Sequence, residues 1–260
     1  MPSMFLLVIA ISFVGYFFSS LGWKLCMGEE GKNISIGKVF VVAPQKPQSA
    51  GGHAITMHKP LRAEKIPLNV GEEVSYRVSG TPADCVMLAL DVLVKDVDIV
   101  VSGINIGPNL GDDIIYSGTV AGAREGAMNN RLSFAVSVND FGKPDFAFFA
   151  ELATKIIKTL TDMVKENTAC LNINFPKDKE HIKGVKFTQL ARRRYKDRVT
   201  IGKDPFGREF YWIGGVLNDP MVDDTDSKLI EEGYITITPL IIDQTDYNLL
   251  KQLGNTKIEI

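Results

Sequence analysis

The chain is poor in the residues that staple or wire a protein together. Its 260 residues include three cysteines, Cys26, Cys85 and Cys170, far apart and without a CxxC pair. An odd, scattered set argues against a disulfide framework and against a cysteine zinc site. The histidines, His53, His58 and His181, are too dispersed for a histidine metal cage. Positive charge is not in excess: Lys+Arg 29 against Asp+Glu 31 leaves a formal charge of −2. That balance gives no basic footprint for a nucleic acid polymer or an acidic membrane. Repeats and low-complexity segments are missing. Charge is absent before Lys24, and the first acids are Glu29 and Glu30.

What is present is ordinary globular material, 45% apolar and 23% charged. It suffices for one sizeable domain or two small ones with a buried core. Residues 4–18 are almost wholly apolar, which raises a membrane helix as one reading. A cleaved signal is another, although a basic n-region and an A-x-A-like site are lacking. The third reading is a first core strand over residues 5–10.

Further apolar runs at 39–43, 97–102, 134–138 and 171–175 read as buried strands, rich in Val, Ile and Phe. Helical stretches lie between them. One opens at Thr81-Pro82-Ala83-Asp84, where Thr81 caps, Pro82 suits the first turn and Asp84 completes a capping box; it runs to about residue 94. Others span 119–129 and 145–166. This alternation predicts an α/β fold with a Rossmann-like parallel sheet covered on both faces. Residues 1–180 form its core. Residues 181–260, with strand-like 209–215 and 234–239, form a smaller β-rich extension. Arg192-Arg193-Arg194 reads as a solvated or subunit-contact stripe, or else as a phosphate patch.

Ligands of open α/β sheets sit beyond the carboxyl ends of the strands, so the loops there hold the candidate site. The first loop offers Ser49 and His53. The second offers Asn105 and Asn109, followed by Asp112-Asp113 as turn residues, caps or acids of a site. Then Ser117-Gly118-Thr119 opens a helix, where unpaired backbone N–H groups attract an anion or simply receive a cap. Neutral Ser and Asn oxygens suit Mg²⁺ or Mn²⁺ as companions to carboxylates. His53 is a candidate for proton transfer or a structural loop residue.

Several segments together carry a family resemblance. They are Val41-Val42-Ala43-Pro44, Gln48-Ser49-Ala50-Gly51-Gly52-His53, Gly80-Thr81-Pro82-Ala83-Asp84, Ser102-Gly103-Ile104-Asn105-Ile106-Gly107-Pro108-Asn109-Leu110-Gly111 and Tyr116-Ser117-Gly118-Thr119. Leu171-Asn172-Ile173-Asn174-Phe175-Pro176, Thr225-Asp226 and Gly233-Tyr234-Ile235-Thr236-Ile237-Thr238-Pro239-Leu240 follow in order. In this the chain resembles the SurE family of metal-dependent nucleotidases. The resemblance implies a 5'-nucleotidase, a phosphomonoester hydrolase converting nucleoside monophosphates to nucleoside and phosphate with one divalent ion, Mg²⁺ or Mn²⁺. It implies Ser49 and Asn105 as metal ligands, and Asn109, Ser117, Gly118 and Thr119 as the phosphate cradle. It also implies a cytoplasmic homodimer built by exchange of C-terminal segments, or a homotetramer.

One family motif is missing. A Thr-Asn-Asp-Asp-Gly loop should follow the first strand, and here Ile11-Ser12-Phe13-Val14-Gly15 stands in its place. With Gly15 as the motif glycine, Phe13 and Val14 occupy the aspartate positions. Without those carboxylates, metal affinity should fall by orders of magnitude and hydrolysis with it. The alternative reading is a degenerate, weakly active or inactive homologue that binds phosphate or nucleotide. A membrane-tethered form, held by residues 4–23, is a further alternative.

Overall fold

The computed structural model describes residues 4–9, 36–69, 72–94, 96–164, 168–196, 198–254 and 256. Continuous apolar runs become strands buried on both sides. Along β2 (Ile36–Pro44), Val39, Val41 and Ala43 enter one core cluster, while Phe40 and Val42 enter another. The same division holds in β5 (Ile99–Ile106), β6 (Leu132–Val138) and β7 (Cys170–Phe175). Both faces must therefore be covered, and helices on the two sides do so.

On one face lies α3 (Phe146–Met163), whose Phe149, Ala153 and Ile157 pack against Phe134, Ile173 and Phe175. The other face receives α1 (Pro82–Leu88), extended by a π-helical turn over Ala89–Leu93, and α2 (Gly118–Met128). The small residues of α2 let it lie close to the sheet. A Cβ added at Gly126 would meet Ser133 Oγ at 2.5 Å, and one at Gly122 would meet Ser102 Oγ at 2.7 Å. The capping box at Thr81 forms as expected: Asp84 N donates to Thr81 Oγ1 (3.1 Å) and Thr81 N to Asp84 Oδ2 (2.8 Å).

The remaining strands of the main sheet are β1 (Met4–Ile9), β3 (Ala63–Lys65), β4 (Val74–Val78), β8 (Gly184–Phe187) and β13 (Tyr234–Leu240). Among the described residues nine strands join in the order β3-β4-β2-β1-β5-β6-β7-β13-β8. The expected parallel sheet is thus a mixed one: β3 runs antiparallel to β4, and β13 antiparallel to β7. Tyr234–Leu240, read from sequence as part of the extension, lies in this sheet. The rest of that region forms two small ribbons, β9 (Arg194–Lys196) with β12 (Val216–Asn218) and β10 (Val199–Lys203) with β11 (Glu209–Ile213). Two short helices, α4 (Asp226–Glu231) and α5 (Tyr247–Leu253), flank β13 in sequence.

β1 runs parallel between β2 and β5, with Leu7 opposite Phe40 on one side and Val100 on the other. The reading of a first core strand holds over Met4–Ile9. Residues 10–35, which include the positions of the missing aspartate motif and most of the segment 4–23, lie outside the described residues. Among the described residues no helix is long and apolar enough to cross a membrane. From β1 the chain moves to β2 and β4 on one side, and later to β5, β6 and β7 on the other. The order reverses between β1 and β5, and a crevice at the carboxyl ends of those strands is the consequence.

Candidate functional site

A cavity of about 240 Å³ opens at that end of the sheet. Gln48, Ser49 and Ala50 enter it from the loop after β2, and Asn105 through Asn109 from the end of β5. Ser117, Gly118 and Thr119 close it from the start of α2, and Phe141 from the loop after β6. All six residues assigned to metal or phosphate therefore line one space.

The start of α2 presents first-turn amides to the cavity. Ser117 Oγ accepts from Val120 N at 3.1 Å and so caps the helix. The amides of Gly118 and Thr119, in the first turn, have no carbonyl one turn back to bond, and the helix dipole adds partial positive charge. A Cβ at Gly118 would come 3.1 Å from Gln48 O, so only a small residue lets the two loops close together.

Asn109 is held from behind. Its backbone N donates to Asn174 Oδ1 at 2.8 Å. Its carbonyl accepts from Asn172 Nδ2 at 2.8 Å and from Asn174 Nδ2 at 2.9 Å. Its own Nδ2 donates to Ser137 Oγ at 2.7 Å. These groups are all buried, and buried amides left unpaired would be costly, so the clamp fixes the loop. The signal was visible in the sequence as Asn172 and Asn174, two polar residues on one face of a buried strand.

His53 lies outside the lining. Its Nε2 sits 2.8 Å from Oε2 of Glu125, a buried carboxylate on α2. Gly52 N donates to Tyr116 O at 2.9 Å. Thr56 donates to Asp84 from N (2.9 Å) and Oγ1 (2.6 Å), and Thr81 Oγ1 donates to Ala54 O at 2.7 Å. The loop that carries Ser49 is thus pinned along its length to α1 and α2.

Asp112 and Asp113 turn away from the cavity to the arginine run. Arg192 and Arg194 reach Asp112 at 3.3 and 3.2 Å, and Arg193, with its side chain only 12% exposed, reaches Asp113 at 2.6 Å. The solvated stripe expected there is correct for Arg192 and Arg194, whereas Arg193 is an internal strut. Tyr195 donates to Asp113 as well, and burial with that contact pushes its phenol up to about 12. Asp226, fully buried, accepts from Gly111 N (2.8 Å), Ala191 N (2.9 Å) and Ser227 N (2.8 Å). It ties the turn before α2 to the start of α4. Burial raises its pKa, and the three backbone donors oppose that rise.

The donors near the cavity make a poor site for a dication. Asn105 Nδ2 donates to Gly107 O at 2.8 Å, which leaves its Oδ1 as an acceptor. Ser49 adds a hydroxyl. Among the described residues, no carboxylate lines the cavity and no cluster of three His, Cys, Asp or Glu side chains could hold a metal. Neutral oxygens alone do not fit Mg²⁺ or Mn²⁺, which draw strong binding from carboxylates. The same neutral, N–H-rich set fits a phosphate.

Comparison with known proteins identifies the family. The family model described as Survival protein SurE matches residues 28–197. The chain is 45% identical over 222 residues to 5'-nucleotidase SurE of Moorella thermoacetica, covering 84% of this chain and 85% of that protein. It is 42% identical over 220 residues to 5'-nucleotidase SurE of Petrotoga mobilis, covering 83% and 86%. A crystal structure of the SurE protein from Aquifex aeolicus superposes with a TM-score of 0.79 at 36% identity, over 96% of this chain and 98% of that one. With the family model, these relatives and the solved structure in agreement, the chain belongs to the SurE family.

Proposed function

We propose that the chain is a phosphomonoester hydrolase, a 5'-nucleotidase that splits nucleoside monophosphates into nucleoside and phosphate. The observation that carries this reading is the convergence of Ser49, Asn105, Asn109, Ser117, Gly118 and Thr119 on one cavity at the switch point of the sheet. The curated relatives, named 5'-nucleotidase SurE, favour it over a non-catalytic homologue.

The residues divide the work. Gly118 and Thr119 present first-turn amides to the phosphoryl oxygens, and the Ser117 hydroxyl is free to donate while its oxygen caps the helix. Asn109, clamped by Asn172 and Asn174, closes the opposite wall. Ser49 and Asn105 are the neutral oxygens that would face a divalent ion. Such an ion would supply Lewis-acid stabilisation, though these two residues alone would hold it weakly. His53 serves as a positioning residue: through Glu125 it fixes the Ser49 loop to α2.

Other features bear on assembly and compartment. The residues of β11 are all exposed, including Tyr211, Trp212 and Ile213, as are Tyr247, Leu249, Leu250 and Leu253 of α5. Apolar surface of this extent favours a second copy of the chain as partner, in a homodimer or homotetramer assembled through residues 181–260. Cys85 and Cys170 are buried free thiols, which suits the cytoplasm.

The test is phosphate release from AMP by the purified full chain, followed with and without millimolar Mn²⁺. Release above the protein-free blank is expected. No release from any nucleoside monophosphate in either condition would overturn the reading.

A further inference from the structure

The phosphate cradle has an aromatic rim that the phosphate does not need. Phe141 lines the cavity, yet 81% of it is exposed. A lone exposed phenylalanine is unremarkable by itself; its setting here is what matters. The loop beneath it is fastened at several points. Asn139 N donates to Phe175 O at 2.8 Å, Gly107 N to Asp140 O at 3.0 Å, and Gly142 N to Asp140 Oδ1 at 2.9 Å. The ring is therefore held out to solvent by an anchored turn. Its edge lies over Gly107, where a Cβ would come 2.5 Å from Phe141 Cε1 and where φ is +91°. Any larger residue at position 107 would displace the ring. Ile106, 42% exposed, and Pro108 extend the same apolar wall. The cavity thus offers polar donors on one side and an exposed aromatic ring on the other. An ester with a phosphate at one end and a flat heteroaromatic ring at the other matches both halves.

We propose that Phe141 is a specificity-determining residue that stacks on the substrate's base, so that the site selects phosphomonoesters carrying a purine or pyrimidine. This rests on the nucleotidase reading and names the side chain that contacts the base. Base–aromatic stacking is sequence-tolerant, because every base has a π-face. Selection for the presence of a base, with little choice among bases, follows.

The experiment is isothermal titration of AMP and of ribose 5-phosphate into the full chain in EDTA, which removes metal-assisted turnover. Wild type, Phe141→Ala and Phe141→Tyr are compared. Phe141→Ala should weaken AMP roughly five- to tenfold, within the range set by stacking, and leave ribose 5-phosphate within about twofold. Phe141→Tyr should restore AMP binding. Equal weakening of both ligands, or unchanged AMP binding, would overturn the proposal while leaving the nucleotidase reading in place. A wild type that binds neither ligand would overturn the stacking proposal, and the nucleotidase reading would fall only if phosphate release with Mn²⁺ were absent as well. Sedimentation equilibrium of the same proteins supplies a separate check. An altered oligomer mass in Phe141→Ala would place the ring at a contact between copies and overturn the stacking role.

Discussion

Asn174 holds both polar groups of Asn109's backbone: its Oδ1 accepts from the N–H at 2.8 Å and its Nδ2 donates to the carbonyl at 2.9 Å. A side chain on a central strand thereby sets the position of a loop that walls the phosphate cavity. Asn174→Ala leaves a buried N–H unpaired and the loop free to shift. We expect a loss of about 1–3 kcal/mol of stability together with a raised KM for AMP. Asn174→Asp keeps the acceptor but turns a buried carboxylate oxygen toward the Asn109 carbonyl, so it too should lose stability and raise KM. Urea unfolding and steady-state kinetics on both variants check this. A stability loss with KM unchanged in both would show that the clamp does not position the site.

His53 and Glu125 make a second such link. A proton-transfer role and a positioning role for His53 predict different substitution patterns. Under positioning, His53→Ala raises KM, and His53→Gln, which keeps a donor toward Glu125, recovers most of the loss. The pH profile of kcat should be the same in wild type and His53→Gln. A lost acid or base limb in the Gln variant would assign proton transfer to His53 instead.

Metal binding should be feeble. With Ser49 and Asn105 as neutral ligands and no acid in residues 1–28, the apparent Kd for Mn²⁺ is expected at about a millimolar or weaker, since ligand charge sets such affinities. The double substitution Phe13→Asp, Val14→Asp restores the family's two acids at the positions aligned by Gly15. It should tighten Mn²⁺ at least about tenfold. Micromolar binding by the unaltered chain, read by isothermal titration, would refute this.

Stability should bend with pH in opposite senses at two carboxylates. The Lys179 ammonium, 2.8 Å away, and the N–H of Phe148 hold Asp145 below its usual range. Its stabilisation is complete above the unfolded value of about 3.9 and vanishes as pH falls through the lower folded value. Burial holds Asp226 above its usual range. Its protonated form favours folding below about 3.9, and that contribution is lost as pH rises through the raised value. Asp145→Ala removes the cap of α3 and should cost about 1 kcal/mol near pH 6, the difference from wild type narrowing toward pH 3. Asp226→Asn turns an N–H toward Gly111 N and should destabilise near pH 6 despite removing a buried charge. Urea midpoints at several pH values measure both effects.

Most of the strand and helix order was legible because short apolar runs and helical apolar patterns depend on local sequence alone. The capping box at Thr81 and Asp84 is equally local. Asp84's grip on Thr56, 28 residues away, is not, and neither is the pairing of His53 with Glu125. The antiparallel return of β13 was hidden because an apolar run states that it is buried, not which neighbour it takes. The cavity's polar members were legible because they follow the carboxyl ends of predicted strands, and the roles proposed for them come from the family resemblance. Phe141 was missed, since a single aromatic in an Asn-Asp-Phe-Gly-Lys-Pro turn gives no periodic signal, and only its placement over Gly107 marks it.

Whether the cavity is an anion site is measured most directly by inorganic phosphate titrated into wild type and Asn109→Asp. The Ser137 hydroxyl can donate to the new carboxylate, so folding should survive, with an unchanged unfolding midpoint as the control. A second negative charge within several ångströms of bound phosphate costs a few kcal/mol even at an effective dielectric of about 20. Phosphate affinity is therefore expected to fall at least about tenfold. Equal affinity in the two proteins would place the phosphate elsewhere and contradict the account.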